Sequence, residues 1–225
     1  MKWNEFAKKD CELRKAFQGV KYTGVTNCNF IFDILDKLQL EEGLRIVAIR
    51  QGEWLGDTYN LLVIPNEMAD SDPLLYMNDG SDIWSHITIE ESEMGAWQAC
   101  ILDFAVAWMP LYWHGGYLAK KYMFSGNTLR SLDKGRFSPI SFDYKTFKDD
   151  SRLVPSVTMK GKHVVITHCY WSDWEGLVLW TDYATFDGNG KLIYKHLDEE
   201  LDDSKPFADK AHKVVLFEYD CGICF

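Results

Sequence analysis

Residues 94–113 read MGAWQACILDFAVAWMPLYW: twenty residues with one charge (Asp103), one amide (Gln98) and three tryptophans. A stretch this apolar is either a membrane span or a helix sunk in a protein core. Trp97, Ile101, Phe104 with Ala105, and Trp108 follow helical spacing. Cys100, Leu102 and Val106 fill the other faces, which is the pattern of a helix buried on several sides. Asp103 near the middle would cost about 3 kcal/mol at a bilayer centre. Pro110 cuts the usable helix below the ~20 residues that a span needs. The reading is a buried helix over about 89–109. Thr88 and Glu91 suggest a capping box at its start, and Glu90, Glu91 and Glu93 suit the positive end of its dipole.

Upstream, residues 3–17 set Trp3, Phe6, Ala7, Leu13 and Phe17 among charges, as an amphipathic helix does. A second short helix is predicted over Phe30–Leu38, capped by Asn27 or Asn29. The period then changes. Leu44–Ile49 and Tyr59–Ile64 read as a hairpin ended by Pro65. Leu74–Met77 and Ile83–Ile89 read as a second strand pair around Asn78-Asp79-Gly80.

Downstream, Tyr117–Phe124 reads as a strand, and the polar residues 125–152 as a long loop with short elements, where a lobe boundary would fall. Strands are predicted over His163–Tyr170, Leu177–Phe186, Leu192–His196 and Val214–Tyr219. The expected fold class is α+β: a single domain over 1–225, mostly antiparallel sheet with one buried central helix and two N-terminal helices.

Composition limits function. Nine Trp, eleven Tyr and thirteen Phe are many, and such rings serve cores and binding surfaces alike. The net charge of −10 argues against nucleic-acid binding, which needs a cationic face. It is also unevenly placed: +3 over residues 1–32, −12 over 33–103, +6 over 104–162 and −7 over 163–225. An acidic face of this kind steers basic partners, although ordinary solubilising charge gives the same totals. The charged N-terminus lacks an apolar signal region, so six reduced cysteines in the cytoplasm are expected.

Motif candidates are weak. Asp187-Gly-Asn189-Gly-Lys191 departs from a calcium loop at its fifth, sixth and twelfth positions and fits a hairpin turn better. Cys221-Gly-Ile-Cys224 has no second C-x-x-C to complete a zinc site, which His212 or the pair His168-Cys169 could do only through the fold, and no following helix for redox work. His168 and Cys169 have the residue types of a nucleophilic pair, yet on a strand they point to opposite faces. His114 is an acid–base candidate without an assigned partner. No cofactor and no metal site are expected.

Tyr170-Trp171-Ser172-Asp173-Trp174-Glu175 places two tryptophans and two carboxylates at a turn. It reads as a protein-binding surface through Trp171, Asp173, Trp174 and Glu175, joined by Glu53 and Asp57 of the acidic segment. The competing reading tucks one tryptophan under the sheet. Together these features suggest a cytosolic inhibitor of the bacterial immunity-protein type, neutralising a basic toxin or effector. The alternative is an enzyme or small-molecule binder whose His and carboxylates converge on an aromatic pocket only in three dimensions.

Overall fold

The computed structural model describes residues 3–18, 25–51, 58–70, 83–108, 121–123, 144–172, 175–194 and 213–218. They mix helices with antiparallel sheets, an α+β fold. The chain falls into two compact units, one of Met1–Gly116 with Phe186–Leu192, the other of Tyr117–Thr185 with Ile193–Phe225. Most of the 125–152 region lies outside the described residues.

The first unit opens with α1 (Trp3–Gln18), as its spacing predicts, and then β1 (Val25–Asn27). Leu13 is buried, and Phe17 meets Phe30 edge to face at 5.3 Å. Helix α2 covers Phe30–Ile34 alone, shorter than the Phe30–Leu38 of the sequence reading. Leu35 leaves helical geometry, and Leu38–Leu40 become β2, paired antiparallel with β5 (Ile87–Ile89). Asn29 stands at the cap position but spends its side chain elsewhere, accepting from the Ile46 amide at 2.9 Å.

The hairpin is confirmed as β3 (Leu44–Gln51) and β4 (Thr58–Pro65), with β1 on the outer side of β3. Val47, Ile49, Leu62 and Ile64 pack on one face, while Ile46, Ala48, Leu61 and Val63 are buried on the other. Burial on both faces explains why this hairpin reads as continuous apolar runs instead of alternation. Of the second strand pair, Leu74–Met77 lies outside the described residues, and the strand expected over Ile83–Ile89 is shorter than the sequence suggests. Residues 71–82 lie outside the described set, Ile83–His86 form a 3-10 turn, and Ile87–Ile89 pair with β2.

Helix α3 runs Glu93–Trp108. Ala96, Trp97, Gln98, Ala99, Cys100, Ile101 and Leu102 are all 5 % exposed or less. Seven consecutive residues cover every side of two turns, so this part of the helix is enclosed. Helix α1 and strands β2 and β5 pack against it. Its cap is Ser92, not Thr88. The Ser92 hydroxyl accepts from the Gly95 amide at 3.0 Å, and its carbonyl accepts from Ala96. Thr88 is already engaged in β5, opposite Gln39. Asp103 is exposed at the end of the enclosed turns. Its carboxyl is held above the usual carboxylate range by the protein crowding it, a shift opposed by a hydrogen bond from Trp84. Among the described residues no helix is long and apolar enough to cross a membrane.

The one buried amide on α3 anchors the chain around it. Gln98 Oε1 accepts from the Lys37 backbone amide at 2.7 Å, and its Nε2 donates to Asp36 Oδ1 at 2.9 Å. Gln98→Leu keeps the volume but orphans a backbone donor in the core. It is expected to cost about 2 kcal/mol, read as a lower urea midpoint with an unchanged slope.

The second unit is built on a six-stranded sheet. Strands β8 (His163–Ser172) and β9 (Gly176–Phe186) pair along their whole length. On the outer side of β8 lie β6 (Lys121–Met123) and β7 (Ser156–Lys160); on that of β9 lie β10 (Leu192–Tyr194) and β11 (Lys213–Phe217). Two 3-10 turns, Tyr144–Phe147 and Ser151–Leu153, precede β7.

Candidate partner-binding surface

The register of β8 decides what the aromatic turn presents. Cys169 and Trp171 point to the face that carries Leu177, where Leu153 completes a buried cluster. Trp171 is 1 % exposed, with its ring stacked 6.2 Å from Phe217. It is therefore a core side chain in this structure, the outcome in which one tryptophan tucks under the sheet. Asp173 and Trp174, like Glu53 and Asp57, lie outside the described residues.

Glu175 ties the turn together. One carboxylate oxygen accepts from the Tyr170 hydroxyl at 2.9 Å, and the other accepts from Lys213 Nζ at 2.5 Å. Its backbone amide donates to Ser172 Oγ at 3.0 Å. Burial, reinforced by donation to this carboxylate, pushes the Tyr170 phenol well above its ordinary range. The arrangement fastens β11 to the β8–β9 turn.

The nucleophilic candidates are placed plainly. Cys169 is buried and donates its thiol to the Arg152 carbonyl at 3.2 Å. Burial pushes that thiol up to about 12, far from a thiolate nucleophile at neutral pH. His168 is buried on the opposite face, with its ring centre 6.4 Å from that of Tyr170. The Asp187 carboxylate is occupied by its own loop, accepting from the Asn189 amide at 2.6 Å and the Lys191 amide at 3.1 Å. His114, Cys221 and Cys224 lie outside the described residues; none of the four described cysteines is in a disulfide.

The charge asymmetry takes physical form in the first unit, where five described cations, Lys9, Arg14, Lys37, Arg45 and Lys191, are held by internal bonds while Lys8 and Lys15 stay exposed. Lys9 donates to Asp36 at 2.7 Å and to the Ile34 carbonyl, and Arg14 grips both oxygens of Asp10. Lys37 pairs with Glu90 at 2.8 Å, and Arg45 donates to the Met68 carbonyl and to Asp70. Lys191 donates to three carbonyl oxygens, those of Trp84, Ser85 and Ile87, at 3.0, 2.8 and 2.6 Å.

Several carboxylates stay on display. Asp33, Glu42, Glu67 and Glu91 are exposed, and among the described residues no cation lies within ion-pair distance of them. Some of these gather at one place. Leu44 pairs with Pro65, so the turns flanking the hairpin are neighbours, tied by the Asn66 amide to the Gly43 carbonyl at 2.8 Å. Glu41 and Glu42 occupy one turn, and Glu67 and Asp70 follow the other. Glu41 holds His86 Nδ1 at 2.9 Å. The acidic segment is visible in the sequence, where Glu53 and Asp57 stand out, but this double turn is not. The flanks of a predicted hairpin were the available signal.

Asp36 gives the unit an acid-sensitive joint. Hydrogen bonds from Lys9 and Gln98 hold its carboxyl down to about 2. A depressed folded value means a contribution that is whole above the unfolded value of about 4 and is lost as pH falls through the folded value. Asp10 runs the other way, its carboxyl raised by burial despite Arg14. The stability gap between the wild type and Asp36→Asn is therefore expected to close as pH drops from about 4 toward 2, measured by urea unfolding across that range.

Comparison with protein-family models, with curated proteins and with solved structures gives no match.

Proposed function

We propose that this chain is an acidic, cytoplasmic binding protein that neutralises a basic protein partner, in the manner of bacterial immunity proteins. The observation that carries the reading is the imbalance among the described residues of the first unit: five cations committed to internal bonds, and exposed carboxylates that outnumber the exposed Lys8 and Lys15. Such a surface attracts a cationic protein over the range of the Debye length and orients it before contact. The double turn that carries Glu41, Glu42, Glu67 and Asp70 is the proposed landing place. Helix α3 packs against β2 and β5, and β2 leads directly into the Glu41–Glu42 turn. Asp173, Trp174 and Glu175, with Glu53 and Asp57, are further contact candidates in this reading, and the buried Trp171 supports the aromatic turn from within the sheet.

The test is capture by the immobilised chain, with bound material identified and its activity assayed with and without this protein. The expected partner is strongly basic, is inhibited on binding, and is released by moderate salt. The triple variant E41Q/E42Q/E67Q is expected to fold normally, by its unfolding curve, and to lose the capture. Retention that ignores both salt and the triple variant would contradict the proposal.

A further inference from the structure

We propose that Asn189 is a site of spontaneous deamidation whose isoaspartyl product loosens the Asp187–Lys191 loop from strand β5. Asn189 is the sole asparagine in the chain followed by glycine, and it is exposed between β9 and β10. Its Nδ2 reaches Asp187 Oδ2 at 3.3 Å, too long to hold the side chain firmly. The chemistry is internal. The Gly190 backbone nitrogen attacks the Asn189 side-chain carbonyl carbon, the new C–N bond closes a succinimide, and ammonia leaves with the proton lost by that nitrogen. Bulk water then opens the ring at one carbonyl or the other. One opening gives an aspartyl residue; the other gives an isoaspartyl residue, whose main chain runs through the former side-chain carbon.

The fold keeps this motif in place. Gly190 has φ +76, where a side chain is strained, and a Cβ there would collide with the Thr88 side chain and sit 3.3 Å from the Ile89 carbonyl oxygen. The glycine, which sets no side chain of its own beside the attacking nitrogen, is thus required by packing in this buried position. Two anchors follow Asn189 directly. The Gly190 carbonyl accepts from the Ile89 amide at 2.7 Å, and Lys191 supplies its ammonium to the carbonyls of Trp84, Ser85 and Ile87. An isoaspartyl residue adds one main-chain atom ahead of both and puts them out of register. An aspartyl residue adds charge but leaves the main-chain path intact.

The experiment ages the full chain at mildly alkaline pH. Conversion is located by peptide mass analysis, and isoaspartyl residues are counted with an isoaspartyl-specific methyltransferase. Asn189 is expected to convert ahead of the exposed Asn27 and Asn66, with isoaspartate the main product, and Asn189→Gln to abolish the signal. The aged, more acidic fraction is expected to melt below both fresh protein and the Asn189→Asp variant. Conversion of Asn27 or Asn66 before Asn189 would overturn the site. An aged fraction that melts with Asn189→Asp would overturn the loosening.

Discussion

Trp171→Ala is expected to destabilise the second unit by about 4 kcal/mol, the usual cost of deleting a large buried aromatic. The ring is 1 % exposed, stacks on Phe217, and packs with Leu153, Cys169 and Leu177. Truncation would remove contacts between the 3-10 turn at Ser151–Leu153 and strands β8, β9 and β11 together. Trp171→Phe should recover most of the loss, because it keeps a flat ring against Phe217. Chemical unfolding followed by tryptophan fluorescence and circular dichroism measures both. An anchor on an open surface would behave differently, with a stability change within about 0.5 kcal/mol and a loss confined to binding.

Gly95→Ala is the second large effect, and its sign runs against helix propensity. Alanine in place of glycine within a helix normally gains up to ~1 kcal/mol. Here a Cβ would overlap the Glu90 carbonyl oxygen, with the Glu90 carbonyl carbon at 3.0 Å and Ile89 Cγ2 at 3.3 Å. That carbonyl has little room to retreat. The Glu90 amide donates to the Lys37 carbonyl at 2.9 Å, and the Ser92 amide donates to the Glu90 oxygen itself at 2.7 Å. Overpacking against fixed backbone costs up to ~3 kcal/mol, so a net loss of about 2 kcal/mol is expected in urea unfolding. A stabilised Gly95→Ala protein would mean that the turn between β5 and α3 yields easily.

How far the sequence could be read depended on whether the deciding contact was local. The enclosed turns of α3 were legible because apolar side chains on every face of a helix leave no wet side, and Ala96–Leu102 carry that pattern. Strands β3, β4, β8 and β9 were legible for the same kind of reason. The length of α2 was not. Phe30, Ile31, Ile34, Leu35 and Leu38 keep helical spacing, but Leu38 pairs with Ile89, some fifty residues away, and that contact outweighs local period. The cap of α3 was misplaced because Thr88-x-x-Glu91 fits the reciprocal box, whereas Ser92 caps alone with glycine three residues on.

The candidate surface was less legible still. Proximity to a turn suggested an exposed Trp171, but this end of β8 is covered on both faces, with His168, Tyr170 and Ser172 buried on one and Cys169 and Trp171 on the other. The double acidic turn emerges only once the register Leu44↔Pro65 is known, since Glu41–Glu42 and Glu67–Asp70 are separated in sequence by the whole hairpin. The spent cations were invisible beforehand, because a lysine that reaches a backbone carbonyl leaves no mark in composition. Lys191, with its three carbonyl partners, is the clearest case.

The central claim is that a carboxylate-bearing surface recruits a basic protein. The most direct test is the association rate constant with the captured partner, measured by stopped-flow mixing across a series of ionic strengths. The account predicts a rate that falls steeply as salt rises, and a slower, flatter dependence for E41Q/E42Q/E67Q, as electrostatic steering requires. A rate constant unchanged by salt, and the same for the wild type and the triple variant, would contradict it.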